Sequence, residues 1–183
     1  RRGEVLGVTG LVGAGRTEMA RLIFAADKFE EGEIVLDGKR LKLRSPRDAI
    51  GAGICLLTED RKSQGLILKQ SVLENFGLPN LSHFTRLAFV NQAQERESLD
   101  KYVKSLRIKL ASSRQPAATL SGGNQQKVVL AKWLQRNCEV VMFDEPTRGI
   151  DVGAKYEIYQ LMNDLAAAGK AIIMISSELP EIL

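Results

Sequence analysis

The feature that most restricts what this chain can fold into is a short, mainly apolar run, Val5–Thr9, that passes directly into Gly10-Leu11-Val12-Gly13-Ala14-Gly15 and then into a helical stretch over residues 17–26. A strand, a glycine loop and a helix in immediate succession make one unit of a parallel sheet. The rest of the chain repeats the alternation of short apolar runs with amphipathic ones. Ile54–Leu57, residues 140–143 and Ala171–Ser176 read as further strands, and residues 156–168 as a helix. The first strand and the Ile54–Leu57 strand are expected to be buried. Residues 33–36 and 39–43 flank Asp37-Gly38, which predicts a hairpin with a type I′ turn. Ser45-Pro46-Arg47-Asp48 opens a short helix, with Ser45 as its cap and Pro46 in its first turn.

Residues 66–136 change character. They are more polar and helical, with Leu99, Tyr102, Val103 and Leu106 on one face at helical spacing. A face of this kind packs on neighbouring helices more readily than it holds a cofactor. The expectation is a single domain over residues 1–183, with a helical subdomain inserted at 66–136.

Composition excludes several classes. A chain of 183 residues buries roughly 70% of its extended surface and needs no staples. No apolar run approaches the ~18 residues of a membrane span, so any membrane role is peripheral. The net charge of +4 is spread among acids, as in Glu95-Arg96-Glu97, and predicts a solvated surface without nucleic acid as partner. Cys55 and Cys138 stand 83 positions apart inside apolar runs, without metal-type spacing, and read as buried free thiols of a reducing compartment. His83 reads as a surface residue of a polar loop, and no secretory leader is visible behind Arg1 and Arg2.

The chemistry concentrates in three places. Gly10 to Thr17 has the spacing of a phosphate loop, with Arg16 where lysine is usual. Glycines let successive N–H groups curl around phosphate oxygens, the helix that follows turns its positive end to the anion, and Thr17 supplies a hydroxyl for Mg²⁺. Taken alone, the loop equally suits a tight strand-to-helix turn. The apolar run at 140–143 ends in Asp144-Glu145: at the carboxyl end of a parallel strand Asp144 can hold Mg²⁺ through water and Glu145 can polarise an attacking water. An acidic strand end before the Pro146 turn is the plainer alternative. Finally, Leu120-Ser121-Gly122-Gly123-Asn124-Gln125-Gln126-Lys127 is a serine cap and two glycines opening a helix, which presents bare N–H groups to an anion.

That last stretch resembles the signature sequence of ATP-binding-cassette (ABC) ATPases, and it begins 24 residues before Asp144, as in that family. Asp144-Glu145-Pro146-Thr147 resembles the family's Walker B segment, and Gly149-Ile150-Asp151 its D-loop. The resemblance implies an α/β P-loop NTPase fold with a mostly parallel core, a small antiparallel β part and an inserted helical subdomain. It implies ATP and Mg²⁺ as cofactors, with Thr17 and Asp144 toward the metal. Gly10, Gly13, Ala14, Gly15, Arg16, Thr17, Glu59 and Ser177 would line the chain's own nucleotide site. Ser121, Gly122, Gly123 and Gln125 would meet a nucleotide held by a second cassette, since in that family two cassettes dimerise head to tail. Together with Thr58-Glu59-Asp60-Arg61-Lys62 and the run Asp144 to Lys155, these segments are similar to the carboxy-terminal cassette of ribose, galactose and xylose importers. The implied partners are a second cassette in the same polypeptide, an integral-membrane permease and, indirectly, an extracytoplasmic sugar-binding protein, at the cytoplasmic face of the bacterial inner membrane.

Three departures weaken the implied pocket: Arg16 for lysine, Glu59 for a Q-loop glutamine, and Ser177 for a switch histidine. Each lost donor can cost about a hundredfold in rate. The expectation is an asymmetric device whose signature serves the partner's site while its own site mainly binds. The resemblance also implies that an adenine-stacking aromatic lies upstream of Arg1 and that further strands follow Leu183, so the fragment alone is expected to bind nucleotide weakly. Import of nucleosides or another small solute, a purely regulatory nucleotide-binding module and a soluble ABC ATPase acting on DNA or ribosomes stay open as alternatives.

Overall fold

The computed structural model describes all residues except Val12, Phe29, Asp151 and Leu183, so two positions within the expected phosphate loop and D-loop, Val12 and Asp151, lie outside the described residues. The chain divides into two compact units. The first comprises residues 1–59, 138–148 and 155–183; the second comprises residues 60–137 and 149–154.

The first unit is built on a four-stranded parallel sheet in the order β1 (Val5–Thr9), β8 (Ala171–Ser176), β7 (Val140–Asp144), β4 (Ile54–Leu57). Strands joined in parallel need crossovers, and α1 (Arg16–Ile23), α2 (Pro46–Gly51) and α7 (Val152–Ala167) supply helical ones. The core is apolar side chains of β4, β7 and β8, including Leu57, Met142, Phe143, Ile172 and Ile175, with Ala20, Ala49 and Ile158 of the helices. β4 is buried throughout, as its continuous apolar run requires. β1 is not: Val5 and Leu6 are 39% and 51% exposed. Both β1 and β4 are edge strands with one hydrogen-bonded neighbour, so edge position alone does not decide burial: α2 packs on β4, whereas the apolar sequence of β1 leaves Val5 and Leu6 partly open.

A small hairpin, β2 (Ile34–Leu36) with β3 (Lys39–Leu41), turns through Asp37 at φ 50° and Gly38 at φ 74°, the left-handed pair a type I′ turn demands. Ser45 caps α2 by accepting from Asp48 N. Cys55 and Cys138, unrelated in sequence spacing, are both buried and free, with their thiols hydrogen-bonded to each other. Burial pushes the Cys55 thiol well above its ordinary range, so it stays protonated and inert.

The second unit packs α3 (Val72–Gly77), α4 (Leu81–Phe84), α5 (Gln92–Ser105) and α6 (Gly122–Arg136). Phe76 is fully buried, with Phe84 and Tyr102 rings 6.0 and 5.7 Å away. Leu99 of the expected α5 face is fully buried, while Tyr102, Val103 and Leu106 are half-buried. Ser71 and Glu74 form a reciprocal capping box at the start of α3. Two features departed from the helical pattern: a two-residue-per-strand hairpin, β5 (Thr85–Arg86) with β6 (Phe89–Val90), and His83, exposed on the short helix α4 and not in a loop. The tight turn runs through Leu87 and Ala88 at positive φ, residues that carry none of the usual turn signal.

Candidate functional site

The glycine loop, the carboxyl end of β7 and the residues after β8 converge because parallel strands deliver their carboxyl ends to one edge of the sheet. A cavity of about 440 Å³ forms there, lined by Gly13, Ala14, Gly15, Arg16, Thr17, Glu18, Glu59, Glu145, Arg148, Ser177 and Glu178. That volume suits a nucleotide-sized ligand. Gly13 and Gly15 have φ of 84° and 80°, which only glycine adopts freely, and Gly15 begins α1 without a side-chain cap. The first N–H groups of the helix therefore stay available to an anion.

Arg16 fills part of this cradle itself. Its guanidinium donates to Gly10 O, reaches Ser176 O at 3.2 Å and pairs with Glu145 Oε1 at 3.5 Å, and both side chains of the pair are about nine-tenths covered. Glu145 has φ 47°, a left-handed conformation strained for a non-glycine residue, and its Oε1 also accepts from Ser177 N at 2.7 Å. The two acids at the end of β7 thus have different surroundings. Asp144 is 2% exposed and is not in the cavity lining; it bonds the Thr17 side chain, and burial raises its carboxyl above the usual range. Its Oδ1 is buried without a hydrogen-bond partner among the described residues. An orphaned carboxylate oxygen beside a threonine hydroxyl fits Mg²⁺, a hard cation that takes one or two protein oxygens and keeps waters and phosphates for the rest. At the other side of the cavity Glu59 is ion-paired with Arg148.

Gly10 is drawn to the site only through its carbonyl, outside the lining. Ser121, Gly122, Gly123 and Gln125 belong to the second unit and are not among the lining residues. Ser121 caps α6 by accepting from Asn124 N. A Cβ on Gly122 would stand 2.6 Å from Arg61 Nη2, so the guanidinium, the flexible end of its side chain, would have to shift. Gln125, expected as a nucleotide contact, is instead 4% exposed and its Nε2 donates to Ala117 O. One turn into the helix, its side chain falls on the packed face and braces the turn at Ala117–Thr119. Arg148, Glu18 and Glu178, which sequence reasoning did not single out, join the lining. All three are exposed charged residues; Glu18 and Arg148 lie inside the importer-like segments, which assigned them no place in the pocket.

Comparison with known proteins fits this geometry. The ABC transporter family matches residues 1–148. The chain is 54% identical over 183 residues to the ribose import ATP-binding protein RbsA of Oceanobacillus iheyensis, covering 100% of this chain and 37% of that protein. It is 55% identical over 184 residues to the xylose import ATP-binding protein XylG of Thermoanaerobacter pseudethanolicus, covering 100% of this chain and 36% of that protein. Among solved structures, the ATP-binding cassette MJ0796, a dimer in a post-hydrolysis state bound to ADP and Pi, aligns with a TM-score of 0.83 at 25% identity, over 100% of this chain and 78% of that one. This chain belongs to the ABC transporter family and has its α/β P-loop fold, a parallel core with small antiparallel sheets and helices. It spans little more than a third of the length of the curated relatives it matches. No helix among the described residues is long and apolar enough to cross a membrane.

Proposed function

We propose that this chain is the ATP-binding cassette of a bacterial sugar importer, coupling ATP binding and hydrolysis at the cytoplasmic face of the inner membrane to a permease fed by a sugar-binding protein. The names of its relatives, ribose and xylose import ATP-binding proteins, support the importer class. Within it, the chain acts as a carboxy-terminal cassette whose Ser121 and Gly123 complete the ATP site of a second cassette, while its own pocket mainly binds.

The observation that carries the asymmetry is Arg16. Where a lysine would reach toward the β- and γ-phosphates, this guanidinium is spent on Gly10 O, Ser176 O and Glu145. Glu145, the residue expected to polarise a water, is held by Arg16 and by the Ser177 N–H, so its oxygen is turned to internal donors. Gly13 to Thr17 would bind the phosphates through backbone N–H groups, and Thr17 with Asp144 would hold Mg²⁺. When bound, that ion supplies charge neutralisation on the phosphates. By contrast, the Ser121-Gly122-Gly123 start of α6 keeps the bare N–H groups that a neighbour's triphosphate requires.

The test is ATP turnover by the full-length polypeptide with its permease. Gly123→Asp leaves the helix start favourable, since an acid suits the positive end, but repels a triphosphate; turnover should fall about a hundredfold. Glu145→Gln should change it by less than about twofold. Equal losses in the two variants would remove the asymmetry.

A further inference from the structure

A carboxylate just outside the cavity is held by more partners than the cavity's own acids. Glu181, with a side chain 6% exposed, accepts from Thr147 Oγ1 at 2.7 Å to Oε1 and 2.8 Å to Oε2, from Ser176 Oγ at 2.7 Å and from Lys155 Nζ at 2.8 Å. The Tyr159 hydroxyl also bonds it. These donors come from the turn after β7, the end of β8 and α7. Burial alone would raise the Glu181 carboxyl, but the bonds from Lys155, Ser176, Thr147 and Tyr159 outweigh it and hold it at about 2. Tyr159 is pushed up to about 12, by burial first and by Glu181 next.

Such a network is expensive to build, and apolar packing of the same volume often stabilises as well or better. Its distinctive product is geometry. Glu181 lies four residues after Ser177, and Ser176 Oγ both donates to Glu181 and accepts from Glu178 N at 3.0 Å. The turn from Ser176 to Glu181 is thereby closed on itself and tied to Thr147, two residues from Glu145. Within that closed turn the Ser177 N–H is aimed at Glu145 Oε1.

We propose that Glu181 is a positioning residue: its carboxylate fixes the turn that carries Ser177, and so sets how well the pocket distinguishes a nucleoside triphosphate from a diphosphate. This rests on reading the cavity as an ATP pocket with Ser177 at the end where the terminal phosphate lies. Glu181 touches no ligand; it acts through the turn that holds the Ser177 N–H on Glu145 Oε1 at the cavity wall.

The test uses the full-length polypeptide, photolabelled with azido derivatives of ADP and of a non-hydrolysable ATP analogue, with labelling assigned by mass spectrometry to peptides of this cavity. In Glu181→Leu the affinity for the triphosphate analogue should fall about tenfold while that for ADP stays within about twofold, the loss of one charge-assisted contact. Glu181→Gln still accepts from Thr147 and Ser176 and should lose only about threefold for the triphosphate; it decides the matter alone if the leucine variant does not fold. Parallel losses for both nucleotides, or an unchanged triphosphate affinity, would overturn the proposal and leave Glu181 a fold-stabilising group. If neither nucleotide labels the unsubstituted chain, the ATP reading and this proposal fall together, a different trace from either result.

Discussion

Two glycine-rich helix starts in this chain carry the same backbone chemistry in different surroundings. At α1, Gly15 is left-handed, no side chain caps the helix, and Arg16 folds back across the loop to Gly10 O, Ser176 O and Glu145. At α6, Ser121 caps the helix from outside, and the arginine that approaches, Arg61, comes from a preceding segment and rests against Gly122. A cation supplied from within the loop competes with a phosphate for the loop's own space. One that comes from another segment adds charge at the helix start without folding back across the loop itself. The difference teaches that a glycine cradle is only as available as its first side chain allows.

The sharpest way to break this comparison is to free the α1 cradle. Arg16→Lys combined with Ser177→His should raise turnover at this pocket, read by turnover of the full-length polypeptide, by about tenfold or more. No rise would mean that the internal bonds of Arg16 are not what limits it. Acid probes the same side by another route. Glu181 titrates at about 2 in the folded chain against an ordinary 4.5. A depressed carboxyl stabilises fully above its ordinary value, so that contribution should be intact above about pH 4.5 and lost as the pH falls toward 2. Amide exchange of residues 176–181 should therefore accelerate across that window in the unsubstituted chain and show less pH dependence in Glu181→Gln. The smallest effect belongs to α6: Ser121→Ala removes the cap and should cost about 1 kcal/mol in thermal or denaturant unfolding. A loss well above that would give Ser121 a packing role beyond its bond to Asn124 N.

Much of the frame was legible because it depends on local pattern. The run at Val5–Thr9, the Asp37-Gly38 turn and the Ser45 cap each carry their physics in neighbouring residues, and each formed within a few positions of its expected bounds. The β5–β6 hairpin was not legible, since Leu87 and Ala88 adopt left-handed backbone without the glycine or asparagine that would announce it. Of the residues expected in the nucleotide pocket, Gly13 to Thr17, Glu59, Glu145 and Ser177 share one cavity, while Gly10 lies outside its lining. Gln125 does not follow its motif neighbours, because helical phase turns it inward to Ala117.

By itself the sequence determined the strand-loop-helix core, the family and the three substitutions that distinguish this cassette, because composition at short spacing encodes backbone geometry and charge. The tertiary structure decided what Arg16 does with its charge, which of two adjacent acids is buried, that Cys55 meets Cys138, and that Glu181 is the hub behind Ser177. These outcomes depend on residues far apart in the chain, as with the 160 positions between Arg16 and Ser176. Strand order brings such residues together, and no local pattern records it.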